Sequence, residues 1–401
     1  MTSSTTLTRP SHGPLVANLL GQLAFGLVAM TICIPSMQEW GAQFGSSQAA
    51  VQLTFSGYVA AYGGFQLIYG PLSDRLGRKK ILMFGLALAC LGSALGALAG
   101  DLAQLTAARV LQGAGAAAGM VVGRAMVQDL FHGPERTRVM AWIGMAMGLC
   151  PPLATIIGGQ LHVQLGWQAN FVLMTVLALV LLLAAWRGLP DHTPATTVQP
   201  HWLGVMLASY ARLAREPAFL LYVTILGMTT ATFYAFLAGA PIVLGSYGVG
   251  PDRIGYYIMC VPLSYIVGNY LITHMAHRAG DRTMMRLGQA ATISGLSLML
   301  VLGMAGVDTP LAFSLPLVLL GLGHGLLVPA ALVGTVGLLP ALAGSAAAVA
   351  GLAQQALGAF SGYAVGLVPH DGAVNLGWIM LGFALCAAVA QIALHSRSAR
   401  S

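Results

Sequence analysis

Long apolar stretches alternate with short polar connections along the whole chain of 401 residues. A helix needs about 20 apolar residues to cross the hydrocarbon core of a bilayer. The run from Thr309 to His370 contains no Asp, Glu, Lys or Arg over 62 residues, so it must hold two crossings joined near 338–344. The pattern predicts an all-α integral membrane protein with twelve transmembrane helices. The predicted spans lie near 15–36, 50–70, 81–99, 103–126, 139–161, 167–186, 217–243, 253–275, 286–306, 310–334, 344–366 and 374–395.

One long connection, 187–216, is rich in Pro, Thr and His and divides the spans into two sets of six. We therefore expect an N-terminal six-helix bundle over 1–186, a cytoplasmic linker loop over 187–216 and a C-terminal six-helix bundle over 217–401. The connections at 74–79 and 277–282 resemble each other in sequence and in place. Such halves are typical of alternating-access carriers, whose site lies between two bundles.

The basic residues lie almost entirely in every second connection, the two termini being counted as connections. Short basic loops resist translocation, so this bias indicates a multi-pass protein of the cytoplasmic membrane with both termini in the cytoplasm. Basic loops at that surface would also contact membrane lipid. Three residues differ, because Arg253 lies in an alternate connection and Arg109 and Arg124 lie inside apolar stretches. The others are Arg9, Arg75, Arg78, Lys79, Lys80, Arg136, Arg138, Arg187, Arg212, Arg215, Arg278, Arg282, Arg286, Arg397 and Arg400.

The composition argues against several classes of function. Charged residues make up 7% of this chain, whereas they make up about 25% of a soluble domain. The formal charge of +7 is spread over separate connections, so we expect no nucleic-acid partner. The five cysteines are odd in number and scattered, which predicts no disulfide framework and no metal site, and we expect no cofactor. The chain has no phosphate loop or zinc-protease motif, which argues against an enzyme.

Three motifs carry a resemblance to a known family. The segment 70–80 reads Gly-Pro-Leu-Ser-Asp-Arg-Leu-Gly-Arg-Lys-Lys between spans two and three, and 109–115 reads Arg-Val-Leu-Gln-Gly-Ala-Gly in span four. With these and the span-five motif, the chain resembles the major facilitator superfamily, specifically its twelve-span drug exporters of the bicyclomycin and chloramphenicol resistance type. The span-five residues are Gly144, Gly148, Pro151, Gly158 and Gly159.

The resemblance implies the major facilitator fold and secondary active transport of small amphipathic compounds, drug-like or siderophore-like, in the direction of export. It also implies that the 70–80 segment is a conformational latch. The alternative is a basic loop that only orients the protein in the membrane. The latch residues would be Gly70, Asp74, Arg75, Gly77 and Arg78.

Two positions depart from the pattern of these exporters. Thr31 stands where span one of the subgroup carries Asp, and Gln168 replaces an Arg ahead of span six. All eleven acidic residues fall in connections or at span ends, so none is placed to carry protons in mid-membrane. His324, near the middle of span ten, is then the candidate for proton coupling, because imidazole titrates near neutrality. The alternative is a neutral His324 bonded to a backbone carbonyl beside its glycines.

Arg109 lies several residues inside span four, where a lone charge costs at least about 2.5 kcal/mol on insertion scales. It should face the bundle interior, where Gln112, one turn on, shares its face. The pair could donate hydrogen bonds to a substrate carboxylate or phosphate. Alternatively, Arg109 bonds backbone carbonyls of span one or extends outward to the membrane surface. Arg124 has Asp129 five residues later, which favours a surface or latch role.

Further polar and aromatic residues recur at helical spacing and could line a cavity for an amphipathic molecule. Taken singly, each is also explained as a contact between helices or as an aromatic residue at the membrane interface. The candidates are Gln22, Thr31, Tyr58, Tyr62, Phe233, Tyr234, Tyr265 and Gln354, and the set extends to Asn18, Gln66, Tyr69, Thr230 and Gln355. Span eleven also has a stripe of glycines that predicts close helix packing. The stripe consists of Gly344, Gly351, Gly358, Gly362 and Gly366.

Three functions remain open from the sequence. The first is an exporter of small amphipathic compounds, with proton antiport as a hypothesis. The second is a proton-independent importer or exporter of an anionic metabolite or siderophore, because Arg109 without a cavity acid would leave the site positive. The third is a membrane receptor or assembly subunit that has kept a transporter scaffold but not its turnover.

Overall fold

A computed structural model of the protein describes residues 13–191 and 202–398, and every regular element within these ranges is a helix. The helices are α1 Gly13–Thr31, α2 Met37–Gln43, α3 Gln48–Leu76, α4 Arg78–Ala97, α5 Leu102–Leu130, α6 Gly133–Leu165, α7 Gln168–Gly188, α8 Trp202–Ala214, α9 Pro217–Ser246, α10 Pro251–Ile258, α11 Cys260–Met304, α12 Pro310–Ser314, α13 Val318–Gly337, α14 Ala343–Gly366 and α15 Ala373–Ser398. We call α1–α7 the N-terminal set and α9–α15 the C-terminal set.

Nine segments of the described chain are long and apolar enough to cross a membrane. One of them, Pro251–Met304, has 54 residues and holds two crossings. Helices α3 and α14 have 29 and 24 residues and are also long enough, although they carry more polar or small residues. Together these segments make the twelve crossings that the sequence predicts.

The chain reverses inside α11 at Gly280, whose φ of 75° and ψ of 157° are not helical. Gly268 and Gly288 stand on either side of this turn, and both pack against α13, beside the carbonyl oxygens of Leu322 and Gly323. In a straight helix these glycines would be about 30 Å apart. The two arms of α11 therefore form a hairpin that embraces α13, and they correspond to predicted spans eight and nine.

The first span is interrupted rather than continuous. Helix α1 ends at Thr31, and a short 3-10 helix, Ile34–Ser36, leads into α2. Pro35 has no N–H to donate to the carbonyl of Thr31, which is why the α-helix cannot continue. Predicted span one, 15–36, is thus a broken helix whose last carbonyl oxygens need other partners.

The connection between α3 and α4 is shorter than the sequence predicts. Span two was expected to end near residue 70, but α3 continues through Pro71 to Leu76, and the chain turns on Gly77 alone. Gly77 has a φ of 101°, in the left-handed region that only glycine adopts readily. We call this side of the molecule the Gly77 end, and the side where α3 begins at Gln48 the far end.

The connection 187–216 contains helix α8 within its described part. Leu213 of α8 is fully buried and packs with Phe219 of α9 and Ala346 of α14. Because α8 is held against the Gly77 end of the C-terminal set, it lies beside the space between the two sets of helices.

Candidate functional site

At the far end, the two sets of helices pack closely through α3 and α14. The Cβ position of Gly362 lies 2.9 Å from the ring of Phe55, and that of Gly366 lies 2.7 Å from Cα of Ala49. Gly63, near the middle of α3, touches the side chain of Gln355. Side chains larger than hydrogen at these glycines would push the helices apart, so this half of the interface is closed.

Polar side chains also join the two sets at the far end. Gln52 Nε2 donates to the carbonyl of Ala238 on α9 at 2.9 Å. Gln160 Nε2 of α6 donates to the carbonyl of Asp252 on α10 at 3.2 Å. These two bonds cross the interface between the sets of helices and hold the far end shut.

Toward the Gly77 end, the same two helices separate and leave a cleft of about 460 Å³. This volume lies in the range of sites that enclose a drug-sized molecule. Residues from α3, α8 and α14 line it, among them Gly63, Gln66, Asp74, Tyr210, Gly344 and Gly351. The cleft narrows at Gly63, where Gln355 closes it.

The glycine stripe of α14 follows this change from closed to open. Gly358 packs against the ring of Tyr234, and Gly362 and Gly366 pack against α3. Gly344 and Gly351 line the cleft, and no atom lies within 4 Å of the position that a Cβ would take at either of them. The stripe therefore packs against neighbouring helices over one half of its length and faces open space over the other.

Three predicted aromatic residues come together near the closed end of the cleft. The rings of Tyr58 and Tyr62 stack with their centroids 5.9 Å apart. Tyr58 Oη donates to the carbonyl of Gly26 at 2.6 Å, whereas the buried Tyr62 Oη has no hydrogen-bond partner among the described residues. Tyr234 Oη donates to Gln355 Oε1 at 2.9 Å. Tyr62 is thus the buried hydroxyl of this group that retains a donor for a ligand.

The structure places Arg109 as a cap on the broken first span. Its Nη1 donates to the carbonyl of Ala29 at 2.7 Å, and Nη2 donates to the carbonyl of Met30 at 3.4 Å. These carbonyls belong to the last turn of α1, where the helix dipole favours a cation. Cζ of Arg109 also lies 4.2 Å from the ring centroid of Tyr58. Of the alternatives for Arg109, the bonds to span one are the ones present here.

Gln112 takes part in the same internal network. Its Oε1 accepts from Nη1 of Arg109 at 2.6 Å, and its Nε2 donates to Oγ of Ser93 on α4 at 2.8 Å. Both Arg109 and Gln112 are buried. The pair therefore joins α1, α4 and α5 and does not face the cleft in this structure.

The other predicted residues are placed as follows. Gln22 Nε2 donates to Asn18 Oδ1 and to the carbonyl of Leu181 on α7, and Thr31 Oγ1 donates to the carbonyl of Leu27 in its own helix. Phe233, Tyr265 and Gln354 are half-buried in the C-terminal set. None of these five predicted side chains is among the residues that line the described cleft.

His324 lies at mid-depth in α13 and is buried. Its neighbours Gly321, Gly323 and Gly325 let both arms of α11 approach closely. Nε2 of His324 has no hydrogen-bond partner among the described residues. The side chain therefore lies within the packed C-terminal set and not among the residues that line the described cleft.

The structure brings two further residues of the sequence analysis to the cleft region. Gln355, not its neighbour Gln354, meets Tyr234 and Gly63. Arg124 is exposed, and Nη2 contacts Sδ of Met147 on α6 at 3.1 Å. Val121, one turn before Arg124, lines the cleft. The sequence analysis gave Arg124 a surface or latch role rather than a place beside the cleft.

The latch residues form an ionic cluster at the Gly77 end. The guanidinium of Arg78 pairs with Asp74, donates from Nε to Oδ2 of Asp129 at 3.0 Å and from Nη1 to Oγ of Ser73 at 2.7 Å. Asp129 therefore pairs with Arg78 rather than with Arg124. Asp74 also lines the cleft rim, across from Gly344 near the start of α14. The Cβ position of Gly70 lies 3.6 Å from Cγ1 of Val121, and Arg75 is exposed.

Comparisons with known proteins agree with this architecture. Residues 19–363 match the family model described as Major Facilitator Superfamily. The multidrug resistance protein D of Escherichia coli (strain K12) is 27% identical over 397 residues, covering 98% of each chain. The chloramphenicol resistance protein of Pseudomonas aeruginosa is 26% identical over 387 residues, covering 95% of this chain and 90% of that protein. A crystal structure of a peptide transporter in complex with alafosfalin aligns with a TM-score of 0.77 at 16% identity, over 99% of this chain and 96% of that one, which concerns the fold alone.

Proposed function

This chain belongs to the major facilitator superfamily of membrane transporters, and from that premise we propose that it exports small amphipathic organic compounds by alternating access. The relatives named for multidrug and chloramphenicol resistance extend over nearly the whole chain. The observation that carries the proposal is the cleft between α3 and α14, which is open at the Gly77 end and closed at the far end. Tyr62, Gln66 and Gln355 would meet the compound at its closed end.

The moving units would be the two bundles, 1–186 and 217–401, joined by the linker 187–216. Rocking of one bundle against the other would close Gly344 and Gly351 onto α3 while opening the far end.

The Gly77 end carries the basic loops, which supports a cytoplasmic location for this end of the molecule and for both termini. A Lys79→Cys variant should then react with a membrane-impermeant maleimide only after cells are opened, and reaction in sealed cells would reverse this orientation.

Transport of a drug-like compound by the purified protein tests the proposal. Proteoliposomes preloaded with chloramphenicol should take up radiolabelled chloramphenicol by exchange, and everted membrane vesicles should accumulate it. A protein that folds and binds the compound but exchanges no solute would instead support the receptor function. Binding without exchange would therefore contradict the transport function, and the binding itself would show that the protein is folded.

A second candidate function is carriage of an anion without protons, and Arg124 favours it. This cation is exposed beside the cleft, and the carboxylate nearest to it in sequence, Asp129, is paired with Arg78. A site with an unpaired cation would bind a carboxylate or phosphate better than a lipophilic cation. Competition between an anionic amphiphile and tetraphenylphosphonium for the wild type and Arg124→Gln separates the two. Stronger competition by tetraphenylphosphonium would rule out the anion carrier.

Proton coupling would require His324, because the acidic residues of the chain lie outside mid-membrane. The unpaired Nε2 supports this assignment. With an imposed pH gradient, wild-type proteoliposomes should transport faster than without it, and His324→Gln should lose that difference while retaining exchange. Equal wild-type rates with and without the gradient would exclude coupling.

The cluster at the Gly77 end would act as the latch of this cycle. Asp74 stands across the open cleft from the start of α14, whose free N–H groups favour an anion. When the cleft closes, Asp74 would exchange part of its contact with Arg78 for these N–H groups. Asp74→Asn should therefore slow transport without changing affinity for the compound, and a wild-type rate in this variant would remove the latch.

A further inference from the structure

A groove of about 620 Å³ lies on the outer side of the C-terminal set, away from the cleft. It is formed by the second arm of α11 and by α15 near the Gly77 end. The residues that characterise it are Arg286, Gln289, Ile293, Gln391, Ile392 and His395. Neither the transport cycle nor the latch uses any of them.

The groove changes from charged to apolar with depth. Arg286 and His395 lie nearest the Gly77 end, because α11 enters the membrane after Gly280 and α15 leaves it before residue 398. Gln289 and Gln391 lie about one turn deeper, and Ile293 lies about 10 Å below Arg286 along the helix axis. This order of cation, amide and hydrocarbon matches the order of phosphate, glycerol ester and acyl chain in a phospholipid.

Gln391 is the observation that points to a ligand. Its side chain is 3% exposed, and neither its amide oxygen nor its amide nitrogen has a hydrogen-bond partner among the described residues. Gln289, on the facing helix, donates to the carbonyl of Ala384 at 2.8 Å. An unpaired amide in an apolar setting is costly. A ligand would stabilise it by offering an acceptor, such as an ester oxygen, to the amide nitrogen and a donor, such as a hydroxyl group, to the amide oxygen.

The upper part of the groove is cationic. Nε of Arg286 donates to Nδ1 of His395 at 3.4 Å, which joins α11 and α15 at this level of the groove. Among the described residues no carboxylate pairs with Arg286. A guanidinium whose remaining N–H groups are exposed can bind two oxygens of a phosphate at once.

The groove opens toward lipid. Ile392, which lines the groove, is 69% exposed, and Leu287 and Val389, each next in sequence to a lining residue, are 45% and 67% exposed. Side chains of this kind face hydrocarbon in a membrane protein, so an occupant enters sideways from the bilayer. We propose that this groove binds one anionic phospholipid, with its phosphate at Arg286, its ester region at Gln391 and an acyl chain along Ile293 and Ala388.

Native mass spectrometry of the full-length protein tests the proposal. The protein is equilibrated with phosphatidylglycerol or with phosphatidylcholine of the same acyl chains. Wild type should retain phosphatidylglycerol preferentially, and Arg286→Gln should bind it about fivefold more weakly, the effect of about one basic residue at an anionic surface. Gln391→Leu should also weaken retention of the lipid, although it removes an unpaired amide and leaves the protein at least as stable. Arg278→Gln is the matched control, since Arg278 is exposed in the same connection but does not line the groove.

Several outcomes would overturn the inference. Equal retention of the two lipids by wild type would mean that the groove does not recognise the anionic headgroup. Equal weakening by Arg278→Gln and Arg286→Gln would reduce the effect to general surface charge. Displacement of the lipid by glycerol phosphate alone would show that the apolar part of the groove contributes nothing to binding. A dimer that excludes lipid would show instead that the groove is occupied by a second copy of the chain.

Discussion

Arg109 is tolerated within the membrane because the interruption of the first span supplies it with acceptors. Pro35 ends α1 at Thr31, and the freed carbonyl oxygens of Ala29 and Met30 accept hydrogen bonds from the guanidinium. The sequence placed this side chain inside the bundle correctly. It left open whether a substrate or span one would receive its hydrogen bonds, because the acceptors come from a helix about 80 residues away.

Arg109→Lys tests whether this cap is structural. An ammonium cannot reach both carbonyls and Gln112 in the fixed geometry of a guanidinium, so stability should fall by about 1.5–3 kcal/mol, the value of a charged hydrogen bond. Thermal unfolding followed by tryptophan fluorescence measures the loss. The exposed Arg253→Lys is the control and should unfold as wild type does. A variant with unchanged unfolding but weaker substrate binding would reassign Arg109 as a ligand residue.

Gln354 and Gln355 are both predicted cavity residues, and the glycine stripe distinguishes between them. It lies four residues after Gly351 and three before Gly358, so it belongs to the face of the glycine stripe. Gln354 points about 100° away on the helix. The choice between adjacent glutamines was therefore predictable, whereas the partner of Gln355, Tyr234 of α9, depended on packing between helices.

At the scale of single elements, α14 combines two kinds of glycine within one stripe. Gly358 is needed for contact with Tyr234, while Gly351 borders open space in the same helix. The sequence predicts a packing face over the whole stripe. Only part of that face is packed here, because the two bundles meet at one end.

The two glycines should therefore respond differently to the same substitution. Gly358→Leu overpacks the structure as it stands and should destabilise it by about 1–3 kcal/mol. The leucine of Gly351→Leu fits into the open cleft, so this variant should unfold as wild type does. In the closed state, however, the leucine would be overpacked at the same cost of about 1–3 kcal/mol. Exchange should therefore be about 5- to 150-fold slower. Thermal unfolding and proteoliposome exchange, measured on both variants, check this. Wild-type exchange by Gly351→Leu would mean that the cleft does not close at this point.

The connection between α14 and α15 predicts a dependence of stability on pH. Burial lowers the pKa of His370 below its usual 6.5, against smaller opposing effects of its hydrogen bond to the carbonyl of Val365 and of Asp371. The unfolded chain then binds a proton more readily than the folded one. The contribution of His370 to the free energy of unfolding is therefore complete above about pH 6.5. It is lost as the pH falls from there toward the lowered pKa of His370 in the folded protein.

His370→Gln tests this contribution because glutamine can keep the bond to Val365 but does not titrate. The unfolding temperature of the wild type should fall more between pH 7 and pH 5 than that of the variant. His277→Gln, at an exposed position, should behave as the wild type. Parallel pH profiles for wild type and His370→Gln would show that His370 is not held neutral by the fold.

At the scale of the whole molecule, closure of the far end and opening of the Gly77 end should exclude each other. Ser56→Cys with Gly362→Cys places two thiols where the bundles touch, since Oγ of Ser56 lies 3.0 Å from the Cβ position of Gly362. Gln66→Cys with Gly351→Cys places them across the cleft. The exposed Cys386 is changed to Ser in both variants. The pair at positions 56 and 362 should cross-link readily. The pair at positions 66 and 351 should cross-link only in the alternate state, in which the cleft is closed.

Ligands or gradients that raise the yield of one cross-link should lower that of the other. The yields are read from gel mobility after mild oxidation in proteoliposomes. The single variants are the controls for intermolecular bonds. If both cross-links form together in a molecule that carries all four cysteines, the two ends move independently and the rocking of whole bundles is wrong.

The sequence by itself determined how often the chain crosses the membrane, because burial of apolar segments in lipid is a local property that each segment satisfies alone. It also determined the family, through the 70–80 and span-five motifs. Only the tertiary structure decided which polar side chains face the cleft. Arg109 and Gln112 are occupied by α1 and α4, while Arg124 is left exposed, since a hydrogen bond between helices depends on neighbours that are distant along the chain.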